Sequence, residues 1–594
     1  MADLFSRRQA LAGGIGLAAA VVATTSLSPS ALAAEVGALV EPSELPWVQA
    51  RTIVAETTVP TFPSTTVNVR DHGAVADGSS DNTAAFAKAI NACNAAGGGT
   101  VVIPSGTYVT GAIYLKSNVN LRLDGATLRF SGDASRFPTV LTRYEGIECM
   151  NRSPMIYAFG ETNIALTGTG TLDAAATSSW NKGSERAFLE QLVADGVPAR
   201  QRVVPGSGHT MRSSFVEPYN CTNVLIQGIT LRNSMFWQLH PTLCRNVTVD
   251  RVNTDPSTAH SNTDACDPES CDHVVIQNCN LGAHDDNIAI KSGRDADGRR
   301  VNVPCQNLVV FGCRMNGNWG AITCGSEQTG GIRNVYAYRC TLEGVTKFAL
   351  YVKSNTQRGG FSQNINLDSF SGTLDRSVIF LTSTYNNQTG DFVPRFGPIS
   401  ITNSSCTHAG RKALDVSGLS NSHVRGLTLR NCQFNGVADT SNTLNFVDDL
   451  VLNNVTINGK QIGDPAPTTR YQAEAATISG GVVESNHAGF TGAGFVNLDN
   501  VIGSFVEWTV TSSVAGPATL GIRHANGTTV NRPMSITVNG TVASPDVSFP
   551  GTGAWTTWQT RTFPATLAAG PNKIRATSTT ANGGPNLDYL ELPQ

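Results

Sequence analysis

The chain has 594 residues, more than one compact core accommodates, so several domains or an elongated repeat array are expected. Charged residues make up 15% of it, Gly reaches 58, and the formal charge is -3. This composition favours many short strands joined by turns over a helical bundle, and it excludes a global basic charge that would draw the chain to polyanions.

Residues 1–33 read as a targeting segment. Ser6-Arg7-Arg8-Gln9-Ala10-Leu11 precedes an apolar stretch to Leu27, and Ala31-Leu32-Ala33 supplies small residues for cleavage. The paired arginines resemble a twin-arginine signal, so the mature chain is expected to be secreted. Gly, Thr and Ser interruptions and the cleavage-like end argue against a membrane anchor. The 13 cysteines are odd in number and recur in strand-like segments such as Gln277-Asn278-Cys279 and Phe311-Gly312-Cys313. On a route that carries proteins already folded, buried free thiols in internal stacks are favoured over a disulfide framework. Cys266 and Cys271 lack the second pair that a zinc site needs.

An N-terminal arm, residues 34–66, comes next. The segment Asp81 to Ala96 then carries apolar residues at helical spacing after Asp81-Asn82-Thr83, and predicts a helix capping the open end of a stack. The stack is an irregular repeat: Asn223-Val-Leu-Ile-Gln, Asn246-Val-Thr-Val-Asp, His273-Val-Val-Ile-Gln, Asn307-Leu-Val-Val-Phe and Asn334-Val-Tyr-Ala-Tyr, whose starts are 23, 27, 34 and 27 residues apart. Each unit alternates apolar and polar residues between turns and cannot bury its apolar face alone; stacking in a right-handed parallel β-helix, with coils about 4.8 Å apart, solves this. Weaker units from Asn118 to Asp449 extend the solenoid to residues 67–463.

Within the stack, Asp264 and the pair Asp285-Asp286 are 21 and 22 residues apart, about one coil, so they meet on one strip of surface. Glycoside hydrolysis by inversion needs one protonated carboxyl to donate to the leaving oxygen and an ionised one to activate water. Adjacent aspartates also raise one pKa by like-charge repulsion. Spacing alone favours solvated turn aspartates; the surrounding residues reverse that. Asn262-Thr263-Asp264-Ala265-Cys266-Asp267, Asp285-Asp286-Asn287-Ile288-Ala289-Ile290-Lys291, Gly325-Ser326-Glu327, Gly330-Gly331-Ile332-Arg333-Asn334 and Leu141-Thr142-Arg143-Tyr144-Glu145-Gly146 together resemble glycoside hydrolase family 28, the polygalacturonases, and its bacterial exo-acting branch. The resemblance implies Asp285 as general acid, and Asp264 with Asp286 as the groups that hold and activate water. Strict alternation would aim Asp285 and Asp286 to opposite sides, so a local turn must bring both into the cleft.

Two departures fall in that site. The family's Gly-His-Gly element aligns with Asn318-Trp319-Gly320, and its Arg-Ile-Lys element with Tyr351-Val352-Lys353. Of the Arg and Lys that bind a galacturonate carboxylate in relatives, only Lys353 remains, a point charge without the bidentate fork. Tyr351 and Trp319 can instead form stacking walls for a sugar. His284 either replaces the missing imidazole or is a surface histidine beside a carboxylate; Lys291 is either a subsite residue or a solvated strand residue.

The repeat stops at a Pro-rich linker, residues 464–470, before a second all-β unit, a jelly-roll-like β-sandwich over 471–594. Tyr471-Gln472-Ala473-Glu474-Ala475, Ile522-Arg523-His524-Ala525-Asn526-Gly527, Trp555-Thr556-Thr557-Trp558 and Asn586-Leu587-Asp588-Tyr589-Leu590 resemble a family 35 carbohydrate-binding module. Such modules commonly hold a structural Ca²⁺, here through the hard oxygen donors of Gln472, Glu474 and Asp588. Trp555 and Asn586 are the candidates for sugar contact, and Trp558 is expected in the sandwich core.

These readings add up to a monomeric, secreted, inverting and exo-acting hydrolase of pectin-type plant polysaccharide, with a preference altered from plain polygalacturonate and no cofactor for catalysis. Its competitors are a carbohydrate-binding protein that has lost activity and a polysaccharide lyase, whose base removes a proton beside the uronate carboxylate. Retention of all three aspartates argues against the first. No basic cluster or recognition motif supports nucleic-acid binding.

Overall fold

The computed structural model describes residues 39–175, 185–255, 260–344, 346–464, 468–512 and 515–593. The targeting segment lies outside them. No helix among the described residues is long and apolar enough to cross a membrane.

Each repeat unit forms a short strand that pairs in parallel with the next. Val224, Val247, Val274, Leu308, Val335, Ile365 and Ile399 stand in one register column, all buried. A six-stranded parallel sheet makes another face, with Ile288, Ile322, Leu350, Ile379 and Leu414 stacked inside it. The architecture is the right-handed parallel β-helix that the repeat implies.

The asparagines that open the repeat units have a specific task. Asn223, Asn246, Asn307, Asn334 and Asn364 all sit at φ between 55° and 59°, a left-handed bend that Asn tolerates best among non-glycine residues. Each donates its side-chain amide to the coil before it: Asn246 to Asn223 at 2.8 Å, Asn334 to Asn307 at 2.9 Å, Asn364 to Asn334 at 3.0 Å. His273 interrupts this ladder, and Asn307 bonds Asp272 instead, at 2.7 Å.

The predicted cap is the helix Thr83–Ala95, which buries Ala85, Phe86, Ala89, Ile90 and Cys93 on the core. Asp81 accepts from Thr83 N at 3.0 Å and ends the preceding strand. In the arm, the helix Val48–Glu56 buries Ala50 and Ile53 against Val275, Val309 and Phe311 on the outside of the coils. All 13 cysteines are free and buried. Cys221, Cys244 and Cys271 follow one another on successive coils, with backbone N to Sγ distances of 3.4 Å.

From Thr468 the pairing becomes antiparallel, and six-stranded and five-stranded sheets enclose Val496, Trp508, Ile522, Ile574 and Leu590. Trp558 is not part of this core. The strand begins only at Gln559, and Trp558 lies half-buried before it, its indole N–H bonded to Ala488 O at 3.0 Å; Trp508, Phe549 and Phe563 fill the sandwich instead.

Candidate active site

The strand Asn280–Ala283 ends just before His284, and the next begins at Ile288. Residues 284–287 therefore form a corner where alternation is suspended. Asp286 N donates to Asp285 Oδ1 at 3.0 Å, curling the pair together. The preceding coil passes at Asp264, whose carbonyl accepts from Gln238 N at 2.9 Å while Ala265 N donates to Asp286 O at 3.1 Å. Backbone stacking thus places the three side chains on one strip, and one oxygen from each of Asp264, Asp285 and Asp286 lies within 4.8 Å of the others. Such a trio is able to hold a cation, but two lysines already face it.

Lys353 Nζ donates to Asp286 Oδ2 at 2.9 Å, and Gly320 N donates to the other oxygen, Oδ1, at 2.7 Å. A Cβ on Gly320 would meet Asp286 Oδ1 at 3.0 Å and Thr323 Oγ1 at 2.0 Å, so the glycine of Asn318-Trp319-Gly320 is required for this approach. Lys291 Nζ stands 3.8 Å from Asp264, 3.3 Å from Asp267 and 3.2 Å from Glu327, and 4.4 Å from the centre of the Trp237 ring. It is a buried member of the site, and the solvated-strand alternative is wrong.

Burial, followed by the charge of Asp286, pushes Asp285 up to about 6. Asp264 is raised well above the usual carboxylate range, by burial and then by Asp267 and Asp285, and burial carries Asp267 to about 7 despite Lys291. Asp286 differs in its bonding: both oxygens act as acceptors, the pattern of a carboxylate. Asp285 is the half-buried member, steadied at 3.4 Å by Asn262 Nδ2, which Arg212 anchors at 2.9 Å.

The cleft over this strip has a volume of about 400 Å³ and is lined by charge: Glu145, Arg186, Asp264, Asp285, Lys291, Arg294, Glu327, Lys353 and Arg358, with Trp237 and Tyr385. Burial opposes ionisation of Glu327, but Lys291 and Arg294 outweigh it and hold its carboxyl well below the usual range. Beneath, burial likewise opposes the charge on His240, but Glu217 and Glu269, at 3.6 and 3.0 Å, raise it to about 9. His240 meets Trp237 edge-on at 4.7 Å.

A second cleft of about 810 Å³ adjoins the first and shares Tyr385 and Asn386 with it. Trp319, Phe348, Tyr351 and Phe380 form its wall. Trp319 and Tyr351 lie 6.4 Å apart and within 16° of parallel. Both departures from the family pattern thus fall on one aromatic surface. His284 stands half-buried at the corner, its backbone N–H donating to Thr263 Oγ1 at 3.2 Å.

In the sequence, Glu327, Asp267 and Glu145 were visible inside the quoted motifs without a role, whereas Trp237, Arg294, Arg358 and Tyr385 carried no signal, since only the winding brings them to the cleft.

In the sandwich, Gln472 Oε1, Glu474 Oε1 and Asp588 Oδ1 converge on the loop around Thr491 to Ala493: Ala493 N donates to Glu474 at 2.7 Å and Thr491 N to Asp588 at 2.8 Å. Glu474 Oε2 is buried without a partner among the described residues. This all-oxygen set with an orphaned carboxylate oxygen fits calcium, although Arg523 already pairs with Asp588 Oδ2. Trp555 is half-buried, 6.0 Å from His487 and stacked on it within 15°, and Asn586 is buried.

Residues 93–448 match the model of glycosyl hydrolases family 28, and residues 481–592 that of the family 35 carbohydrate-binding module. An exopolygalacturonase structure from Thermotoga maritima is 34% identical, covering 70% of this chain and 96% of that one, with a TM-score of 0.66. A probable polygalacturonase of Vitis vinifera is 26% identical over 55% of this chain and 65% of its own length. An exo-β-D-glucosaminidase of Amycolatopsis orientalis is 57% identical over 128 residues, 22% of this chain and 12% of that protein.

Proposed function

Since the chain belongs to glycoside hydrolase family 28, we propose that it is an exported enzyme that removes sugars from the end of a pectin-type polysaccharide with inversion, its preference turned away from plain polygalacturonate. The observation that carries this reading is the convergence of Asp264, Asp285 and Asp286, with Asp285 raised to about 6 on the open side of the cleft. Asp285 gives its proton to the leaving oxygen. Asp286 takes a proton from water, which Asp264 orients, and the water oxygen joins the anomeric carbon as the glycosidic bond breaks. The three oxygens lie closer than the roughly 6.5–9.5 Å usual between an inverting acid and base; we read this as two aspartates sharing one water beside the acid.

Attack at a chain end is supported by the ion pairs that join Arg186 and Arg294 through Glu145 along one wall of the cleft, and by the exo-acting name of the Thermotoga relative. The altered preference is supported by Tyr351 and Trp319, which leave Lys353 without a guanidinium partner at the family's position. The C-terminal module would hold the enzyme on its polysaccharide, with Trp555 and Asn586 at the sugar and Ca²⁺ on Gln472, Glu474 and Asp588. Export rests on the Ser6-Arg7-Arg8 leader.

The deciding experiment is reducing-sugar release from a panel of pectic polysaccharides by the wild type and by Asp285→Asn, with the first-formed anomer read by NMR. Release that Asp285→Asn abolishes, with inverted configuration, is expected. Absorbance from an unsaturated product would replace hydrolysis by elimination, no release by the wild type would leave a binding protein, and a retained anomer would overturn the shared-water mechanism.

A further inference from the structure

Beneath the cleft lies a group of buried charges that the proposed reaction does not use, with His240 at its centre, 0% exposed. The ring Nε2 faces Glu269 Oε2 at 3.0 Å and Thr242 Oγ1 at 3.1 Å, and Nδ1 faces Ser214 Oγ at 3.0 Å and Glu217 Oε2 at 3.6 Å. Each ring nitrogen therefore looks at a carboxylate, an arrangement that suits the imidazolium, which donates from both. The glutamates are fixed from their other sides. Thr142 Oγ1 donates to Glu217 at 2.7 Å, while Glu269 Oε1 accepts from Gly293 N at 3.0 Å and pairs with Arg143 Nη1 at 3.3 Å. Burial raises the nearby Cys149 thiol and Tyr219 hydroxyl, so both stay neutral. The charges closest to the ring are thus Glu217 and Glu269, balanced by His240 itself and Arg143.

Two contacts carry the state of this group to the catalytic strip. Trp237 meets the His240 ring edge-on at 4.7 Å, and Lys291 Nζ lies 4.4 Å from the centre of the Trp237 ring. Asp267, fully buried, pairs with the same Nζ at 3.3 Å; burial raises its carboxyl, and Lys291 and then His240 pull it down. Lys291 in turn stands 3.8 Å from Asp264. Without the positive charge of His240, Glu217, Glu269 and Asp267 are left one cation short in a desolvated space, a cost that a proton on Asp267 relieves. That proton enters the pair of Asp264 and Asp267, which titrates as a unit.

Resting on the hydrolase reading above, we propose that His240 is a positioning residue of the reaction: as an imidazolium braced by Glu217 and Glu269 it balances the buried charge under the cleft, and through Asp267 and Trp237 it keeps Lys291 on Asp264, so that Asp264 orients water without an added proton. His240 touches neither the substrate nor the reacting atoms. Its effect falls on turnover and its pH dependence, and not on which sugar is held.

The test measures kcat and KM of the full chain against pH, on whichever pectic substrate the wild type hydrolyses, for His240→Gln, Glu217→Gln and the double variant. Losing the cation in His240→Gln should move the limb on which kcat rises with pH upward by roughly half a pH unit or more, lowering kcat on that limb about threefold or more with KM little changed. Losing an anion in Glu217→Gln should move the same limb downward. The double variant restores the balance, and its limb should return to the wild-type position. A structural defect lowers activity without giving shifts of opposite sign. Should one single variant not fold, the other decides by the sign of its shift; should neither fold, the position of the limb in the double variant decides. Limbs that do not move, shifts of one sign in both single variants, or a loss confined to KM overturn this inference and leave the hydrolase standing, which Asp285→Asn tests separately.

Discussion

Along the six-stranded sheet the residues that stack inside repeat themselves, Ile288, Ile322, Leu350, Ile379 and Leu414, whereas the next residue on each strand changes with every coil: Ala289, Thr323, Tyr351, Phe380 and Asp415. The inner column is held by close packing, because each side chain sits directly on its neighbours above and below. The outer strip has no such obligation. Going from Asp286 to Phe380 the surface passes from buried charge to aromatic rings without disturbing the column beneath. In a solenoid the substrate surface is therefore open to substitution coil by coil, and a change at 319 or 351 is expected to alter recognition without altering the fold.

The largest expected effect belongs to the outer strip. Asp264→Asn, Asp285→Asn and Asp286→Asn should each lower kcat by at least about a hundredfold, as for acid–base groups, with circular dichroism unchanged. Near-wild-type rates in any two would remove the site. The inner counterpart is Leu350→Ala, which should cost about 2–5 kcal/mol of stability in denaturant titration while kcat per folded molecule changes little; a loss of kcat without a loss of stability would break the contrast between the faces.

An intermediate effect is expected where the outer strip departs from the family. Tyr351→Arg should raise kcat/KM on polygalacturonate by roughly tenfold to a hundredfold, about 1.5–3 kcal/mol for a charge-assisted bond, and should not help a neutral or branched substrate. A wild type already fast on polygalacturonate, slowed by Tyr351→Arg, would end the altered-preference reading.

The pH profile sharpens the role of Asp285. Because its pKa is raised to about 6, the donating form is present below that value and kcat should fall as pH rises through it. The same shift makes the native state bind the proton more tightly than the unfolded chain, so this group's contribution to stability is full below its ordinary pKa and is lost on going up through about 6. Removing the charge in Asp286→Asn should move the limb to lower pH, and an unmoved limb would assign it to another group. The smallest effect is expected in the module: Ca²⁺ should raise its melting temperature and chelator should lower it, since the ion binds the folded site alone, and a melting temperature indifferent to both would remove the calcium site.

Periodicity was sufficient to read the parallel β-helix and its cap, because in a solenoid contacts follow from counting one coil ahead, whereas the three aspartates were singled out by the motif residues around them. The opening asparagines of the repeat were visible as a pattern, though their left-handed bends and side-chain ladder were not. The pairing of Lys291 with Asp264 and Glu327 was left open, since burial of a lysine depends on which loops fold over it. Trp558 was misread because the strand starts only at Gln559, which leaves Trp558 in the loop before it. Composition, repeat length and the aspartate motif were thus determined by local order along the chain. The corner at residues 284–287, the arginines at the cleft's end and the joining of a charged and an aromatic cleft were decided only by tertiary structure, because they depend on how side chains from coils far apart in sequence share one desolvated space.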